Sequence, residues 1–209
     1  MTKASTSVGY RFQNFLLEKF PELSFTGVSP HVPDFNHSEM DFWLEAKAGN
    51  IRWGARPKEN QAEDFRELVN VVYALGFHNL DGVNKKVRQK TERGRQSYLE
   101  RNMHIVQVCF VSDSMMNLLL EHETRESKKS GERYCMVKNS VLNNLFGRRE
   151  FTRFGQTAEP ESYYGFSYSD YKFFTHYDNA GLYWRAILDP REDKAFIRFM
   201  KGKGVLGAS

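Results

Sequence analysis

The run Asp41-Phe42-Trp43-Leu44-Glu45-Ala46-Lys47 constrains the fold more than any other feature of the chain. Its two-residue period is that of a β-strand, with Phe42, Leu44 and Ala46 on one side and Asp41, Trp43, Glu45 and Lys47 on the other. Ala48-Gly49-Asn50 ends the strand. A polar turn, Asn36-His37-Ser38, precedes it, and an extended stretch ending at Val32-Pro33-Asp34-Phe35 precedes the turn. Two extended segments joined by so short a turn form a hairpin, which brings Asp34 towards the Glu45 end of the second strand.

Helical periods flank this hairpin. Phe12, Phe15, Leu16 and Phe20 predict a first helix over 8–20, with Ser7 as its N-cap and Pro21 as its stop. Phe65, Leu68, Val69, Val72 and Leu75 predict a second over 58–75, with Gln61 one turn earlier on the same face. A basic segment over 84–101 reads as helix, 103–111 as strand, 114–126 as helix and 134–138 as a short strand. Between 151 and 184 the composition shifts, and Phe151, Phe154, Tyr163, Tyr164, Phe166, Tyr168, Tyr171, Phe173, Phe174, Tyr177, Tyr183 and Trp184 crowd one stretch. Clustered Phe and Tyr point to core or a dimer interface before a stacking platform. Strands alternating with helices predict an α/β core over 1–140, and 141–209 is expected as an extension serving substrate recognition, core completion or dimerisation.

Composition narrows the class. A chain of 209 residues with 40% hydrophobic and 27% charged residues is that of a globular domain, and 14% aromatics argue against disorder. Cys109 and Cys135 fall in apolar runs without a CxxC partner, so they are expected as buried free thiols in a reducing compartment, and a cysteine-rich zinc site is excluded. The polar start, Met1 to Val8, lacks the apolar segment of a signal peptide, and no apolar run approaches the ~18 residues that span a bilayer. The expectation is a cytoplasmic protein away from membranes. Neither a Gly-rich phosphate loop nor a Gly-x-Ser-x-Gly elbow is present.

The hairpin carries the chemistry. Glu45 and Lys47 share a strand face about 6–7 Å apart, and Asp34 arrives from the neighbouring segment. Two carboxylates with a backbone carbonyl make a hard-oxygen site suited to Mg²⁺, with Mn²⁺ as a substitute. A lysine beside such an ion orients or deprotonates an attacking water, or stabilises charge in the transition state. Glu126-Ser127-Lys128 and Glu192-Asp193-Lys194 repeat the acid-x-Lys wording, but neither follows Pro-Asp nor sits in a β-patterned run.

Pro33-Asp34, ten residues, then Glu45-Ala46-Lys47 resembles the PD-(D/E)xK nuclease superfamily, which includes restriction enzymes, Holliday-junction resolvases and repair nucleases. The resemblance spans about 32–61 only. It implies a restriction-endonuclease-like core with a mixed sheet flanked by helices, Mg²⁺-dependent phosphodiester hydrolysis, and frequent dimerisation. By position, Asp34 and Glu45 match the metal-binding acids, Ala46 the carbonyl donor and Lys47 the catalytic lysine. Glu18 matches an acid that some branches carry on the first helix, and Gln61 a glutamine near the metal. Asp41, on the Glu45 face, is an alternative first acid; His31 is an alternative ligand, and Glu39 reads as a turn residue.

Seven basic residues (Lys85, Lys86, Arg88, Lys90, Arg93, Arg95 and Arg101) against Glu92 and Glu100 give one segment a charge of +5, more than the whole chain's +4. Such a flank suits a phosphate backbone, which it contacts with release of counterions. Arg148, Arg149 and Arg153 form a second cluster. The expectation is therefore a metal-dependent DNA endonuclease acting on double-stranded or branched DNA. It leans towards a structure-selective recombination or repair enzyme working as a homodimer. A sequence-specific restriction endonuclease and a non-catalytic nucleic-acid-binding protein are the alternatives.

Overall fold

Helix α1 (Lys3–Lys19) turns Phe12, Leu16 and the following Phe20 into the core, each no more than 2% exposed. It begins before Ser7, which lies inside the helix and does not cap it, and the chain turns at Pro21. This computed structural model describes residues 3–27, 29–80, 91–122, 124–138, 141–142, 171–179 and 181–206. The chain continues through β1 (Ser24–Phe25), β2 (Phe35–His37), β3 (Phe42–Asn50), α2 (Glu59–Asp64), β4 (Val71–His78), α3 (Glu92–Asn102), β5 (Ile105–Ser112) and α4 (Asp113–His122). It ends with β6 (Thr124–Glu126), β7 (Arg133–Cys135), β8 (Lys172–Tyr177), β9 (Tyr183–Leu188) and α5 (Lys194–Gly202).

Seven strands form one mixed sheet in the order β1-β2-β3-β4-β5-β9-β8, with β3/β4 and β5/β9 parallel and the other neighbours antiparallel. β6 and β7 pair separately. Helices cover both faces. On one, α1 and α5 pack Phe12, Leu16, Phe196 and Phe199 on Phe42, Leu44, Val72, Ala74, Phe110 and Trp184. On the other, α2 and α4 pack Phe65, Met115, Met116 and Leu119 on Tyr73, Leu75, Cys109, Val111 and Ile187. The expected β3 face carrying Trp43, Glu45 and Lys47 is thus covered by protein, and Glu45 is 2% exposed. Both cysteines are buried and free, as read from the sequence. Among the described residues no helix is long and apolar enough to cross a membrane.

Three further local readings change. The expected helix over 58–75 stops at Asp64, and its second half is the buried strand β4. Val71-Val72-Tyr73 and Phe77 are β-branched or aromatic, and a wholly buried strand shows no alternation to distinguish it from a helix. Asn70, at φ 57°, makes the break. The hairpin turn lies at 38–41 and not at 36–38, because His37 is buried as a strand residue between the rings of Phe42 and Phe199, at 5.3 and 5.1 Å. The helix expected over 114–126 ends at His122, and its last residues form β6.

Residues 172–188 belong to the extension for which the sequence allowed core completion among its roles, and they do complete the core, adding β8 and β9 to the central sheet beside β5. Trp184 stacks on Phe110 with centroids 5.9 Å apart and planes 7° apart, and α5 closes the same cluster. This part of the aromatic-rich stretch is core. Phe151, Phe154, Tyr163, Tyr164, Phe166 and Tyr168, and the basic cluster at Arg148, Arg149 and Arg153, lie outside the described residues.

One close approach locks α1 to the sheet. A Cβ at Gly76 of β4 would stand 2.3 Å from the Phe12 ring, so only glycine lets this ring lie flat on the strand.

Candidate metal centre

β2 pairs with β3 only as far as Phe35↔Leu44, so the β2-side edge of β3 is free of strand partners from Glu45 onward. Asp34 takes up that edge. Its Oδ2 accepts the Ala46 amide at 2.9 Å, and its own amide donates to Glu45 Oε2 at 3.2 Å. A strand residue's N–H and C=O point to the same edge, so the Ala46 carbonyl faces the same pocket as its amide. Lys47 Nζ bonds the other Glu45 oxygen, Oε1. Asp34, Glu45, Ala46 and Lys47 are thereby brought together at the free edge of a central strand.

Two carboxylates and one ammonium leave a negative charge uncompensated in a partly dry pocket. Burial pushes Glu45 up to about 7 against the pull of Lys47, with Asp34 adding to the rise. Burial also raises Asp34, opposed by Lys47 and by the bonds from Ala46 and Gln13. Such a pair binds either a proton or a cation. Each carboxylate oxygen keeps a lone pair beyond the bonds above. The donor set, all oxygen and without thiolate or imidazole, fits Mg²⁺, which retains waters where protein ligands are few. Asp34, Glu45 and the Ala46 carbonyl would hold it. Among the described residues no three His, Cys, Asp or Glu side chains gather as a metal-ligand group, so the two acids depend on the backbone and solvent to complete a shell.

The accessory candidates separate. Glu18 is exposed on α1, where it pairs with Arg11 at 3.4 Å. Gln13 is the α1 residue that reaches the acids, donating from Nε2 to Asp34 Oδ1 at 2.7 Å. Its position about 60° from Leu16 on the helical wheel is the signal that the sequence offers, and in the structure it is half-buried. Asp41 sits in the hairpin turn at φ 52°, exposed, with its carbonyl bonded by Asn70, so Asp34 is the residue that meets Glu45. Gln61 is half-buried on α2, one turn before Asp64, which bonds His31 Nδ1 at 3.0 Å. Glu39 is an exposed turn residue.

Tyr73 is a further neighbour of the site that the sequence pattern, helical there, does not point to. It faces Glu45 across the β3/β4 register and is fully buried, and its hydroxyl has no hydrogen-bond partner among the described residues. Burial, then the charges of Asp113 and Glu45, push the phenol up, so it remains a proton donor beside the site.

Of the basic segment, Lys85, Lys86, Arg88 and Lys90 lie outside the described residues. Arg93 is exposed on α3, whereas Arg95 is only 9% exposed where α3 packs on α1, which removes it from the outer flank that the sequence suggested. Arg101 is exposed and bonds Ser97.

No protein-family model matches the chain, and neither a curated protein nor a solved structure matches it.

Proposed function

We propose that the protein is a Mg²⁺-dependent DNA endonuclease with a restriction-endonuclease-like core. The single observation that carries this reading is the clasp of Asp34 and Glu45 across the hairpin, with Lys47 bonded to the second acid. A solvated surface pair would not bury Glu45 to 2% exposure. Bound there, Mg²⁺ would neutralise the scissile phosphate and lower the pKa of the attacking water.

The chain's own residues supply the rest. Asp34 and Glu45 fix the site through rigid strands, and Lys47, 19% exposed, can hand its ammonium from Glu45 to a phosphate oxygen or hold the incoming water in line. Gln13 holds the Asp34 carboxylate in one orientation.

The test is a cleavage panel of linear duplex, supercoiled plasmid, four-way junction, single strand and RNA, each with Mg²⁺ and with chelator. Metal-dependent cutting of DNA that disappears in Lys47→Ala is expected. Cutting confined to one duplex sequence would assign a restriction enzyme, and preference for the junction a resolvase. Folded protein that cuts none of these with Mg²⁺ or Mn²⁺ would overturn the reading in favour of a non-catalytic binder.

A further inference from the structure

Beyond Lys47, β3 runs to Asn50 and turns sharply, and the turn holds Trp53 out into solvent at 64% exposure. Few residues are less suited to water, and this one is not on a loose loop. Gly54 N–H donates to the Asn50 carbonyl at 2.7 Å, and Arg52 N–H to Asn50 Oδ1 at 2.8 Å. Ala55 and Val137 exchange both backbone bonds at 3.0 Å. A Cβ at Gly49 would stand 2.2 Å from the Gly54 carbonyl, and one at Gly54, at φ +84°, would stand 2.3 Å from that of Val137. Two chain segments pressed this closely clamp the turn, so the indole is displayed on a rigid mount with only its own two torsions to order.

The surroundings are basic. Arg52 and Arg56 flank Trp53 in sequence, both exposed, with the Arg56 guanidinium over the Tyr134 ring at 5.6 Å. The Lys138 side chain lies against Gly54. The segments 55–58 and 134–137 run side by side, and among the described residues the carboxylates at their far end, Glu59 and Glu132, are held in ion pairs with Arg133 at 2.8 Å and Lys58 at 2.6 Å. An exposed aromatic plane among cations has the chemistry of a surface for nucleotides, where the ring meets a base and the cations meet phosphates.

We infer that Trp53 is a stacking platform for an unpaired base, with Arg52, Arg56 and Lys138 holding the adjoining phosphates. A paired base inside a duplex has both π-faces covered by its neighbours. The platform therefore selects DNA that offers a free face at a gap, bulge, flap or branch point. Asn50 lies about 10 Å past Lys47 at ~3.3 Å per strand residue, which is about three base steps at ~3.4 Å each. The stacked base would therefore stand within a few nucleotides of the cut. The choice of DNA as ligand rests on the endonuclease reading; the readout below does not require cutting.

The experiment measures binding of the full-length protein in Ca²⁺ to two DNA duplexes of equal length, one continuous and one with a three-nucleotide gap. Tryptophan emission and its acrylamide quenching supply the signal. Trp184 is 3% exposed and Trp43 half-buried, so Trp53 dominates the quenchable fraction. The gapped duplex is expected to shield Trp53 from acrylamide. Trp53→Ala should weaken gapped-duplex binding by about 5- to 150-fold, leave the continuous duplex within about twofold, and keep the wild-type melting temperature. Trp53→Phe should recover most of the loss. Equal effects on both duplexes, or none on the gapped one, would overturn the inference. So would a concentration-dependent dimer, seen by sedimentation, that Trp53→Ala abolishes, because the exposed ring would then serve contact between copies of the chain. Gap-selective binding through Trp53 in a protein that cuts nothing sustains the inference and sinks the endonuclease reading. Lys47-dependent cutting without discrimination by Trp53 does the reverse.

Discussion

The backbone amide of Asp34 donates to Oε2 of Glu45 at 3.2 Å, while the amide of Ala46, next to Glu45, donates to Oδ2 of Asp34 at 2.9 Å. Each acid is therefore oriented by the main chain at the other. The two carboxylates move as one unit with the hairpin, and the site needs no ligand to hold its shape.

Removing Lys47 should separate chemistry from binding. Lys47→Ala is expected to lower single-turnover cleavage by roughly 10²–10⁴-fold, while DNA affinity in Ca²⁺ stays within a few-fold. Cleavage at the wild-type rate would remove Lys47 from the mechanism.

The acids should report the cation directly. Mg²⁺ at about 100 times its dissociation constant should stabilise the fold by about 2.7 kcal/mol, read as a rise in melting temperature. Glu45→Gln and Asp34→Asn should lose most of that rise. A Mg²⁺ response equal to wild type in both variants would place the ion elsewhere.

The metal-free protein should lose stability as pH rises. Burial lifts Asp113 to about 6, Glu45 to about 7 and Asp193 to about 8, each above the value near 4 that it has unfolded. The folded state thus binds more protons than the unfolded state between about pH 4.5 and 8, so unfolding free energy falls across that window. Their protonated-state advantage is fully present below about pH 4 and gone above about pH 8. For Glu45 the change is on the order of 3–4 kcal/mol. Urea midpoints in chelator at pH 5, 6.5 and 8 should fall in that order, and Glu45→Gln should stabilise the protein at pH 8 and change it little at pH 4.5. With Mg²⁺ below saturation, cleavage should rise with pH towards about 7 as the proton ceases to compete.

Gln13 should act on rate more than on stability. Gln13→Ala frees Asp34 Oδ1 from its 2.7 Å partner and is expected to cost about 10- to 100-fold in activity or metal affinity. A loss of stability without a change in the Mg²⁺ response would make Gln13 a packing residue only.

Gly76→Ala tests the seat of α1. Its new Cβ would meet the Phe12 ring at 2.3 Å, and the overpacking should cost roughly 1–3 kcal/mol. Phe12→Leu in the same chain should restore part of it. A melting temperature unchanged in Gly76→Ala would show that the ring moves aside freely.

Local pattern and final structure agree wherever one residue type has one use. Phe12, Leu16 and Phe20 read as the buried stripe of α1, and Phe42, Leu44 and Ala46 as the inward face of β3, because period and apolarity suffice for a surface element. The acid-x-Lys spacing on β3, with Asp34 ahead of it, was equally open to reading, since alternation alone puts Glu45 and Lys47 on one side. What the pattern could not carry was depth. Only packing of α2 and α4 made the Glu45 side a second buried face, turned 71–78 from helix into central strand, and drew β8 and β9 from the aromatic stretch into the sheet. Those outcomes come from contacts between residues far apart in sequence, which no window of neighbours contains. Gln13 and Trp53 belong to the same class: one approaches Asp34 from 21 residues away, and the other is held out by a backbone clasp with Val137. The residue types of the site are written in the chain; their burial, their partners and the surface beside them were decided by how the sheet and its two helical layers came together.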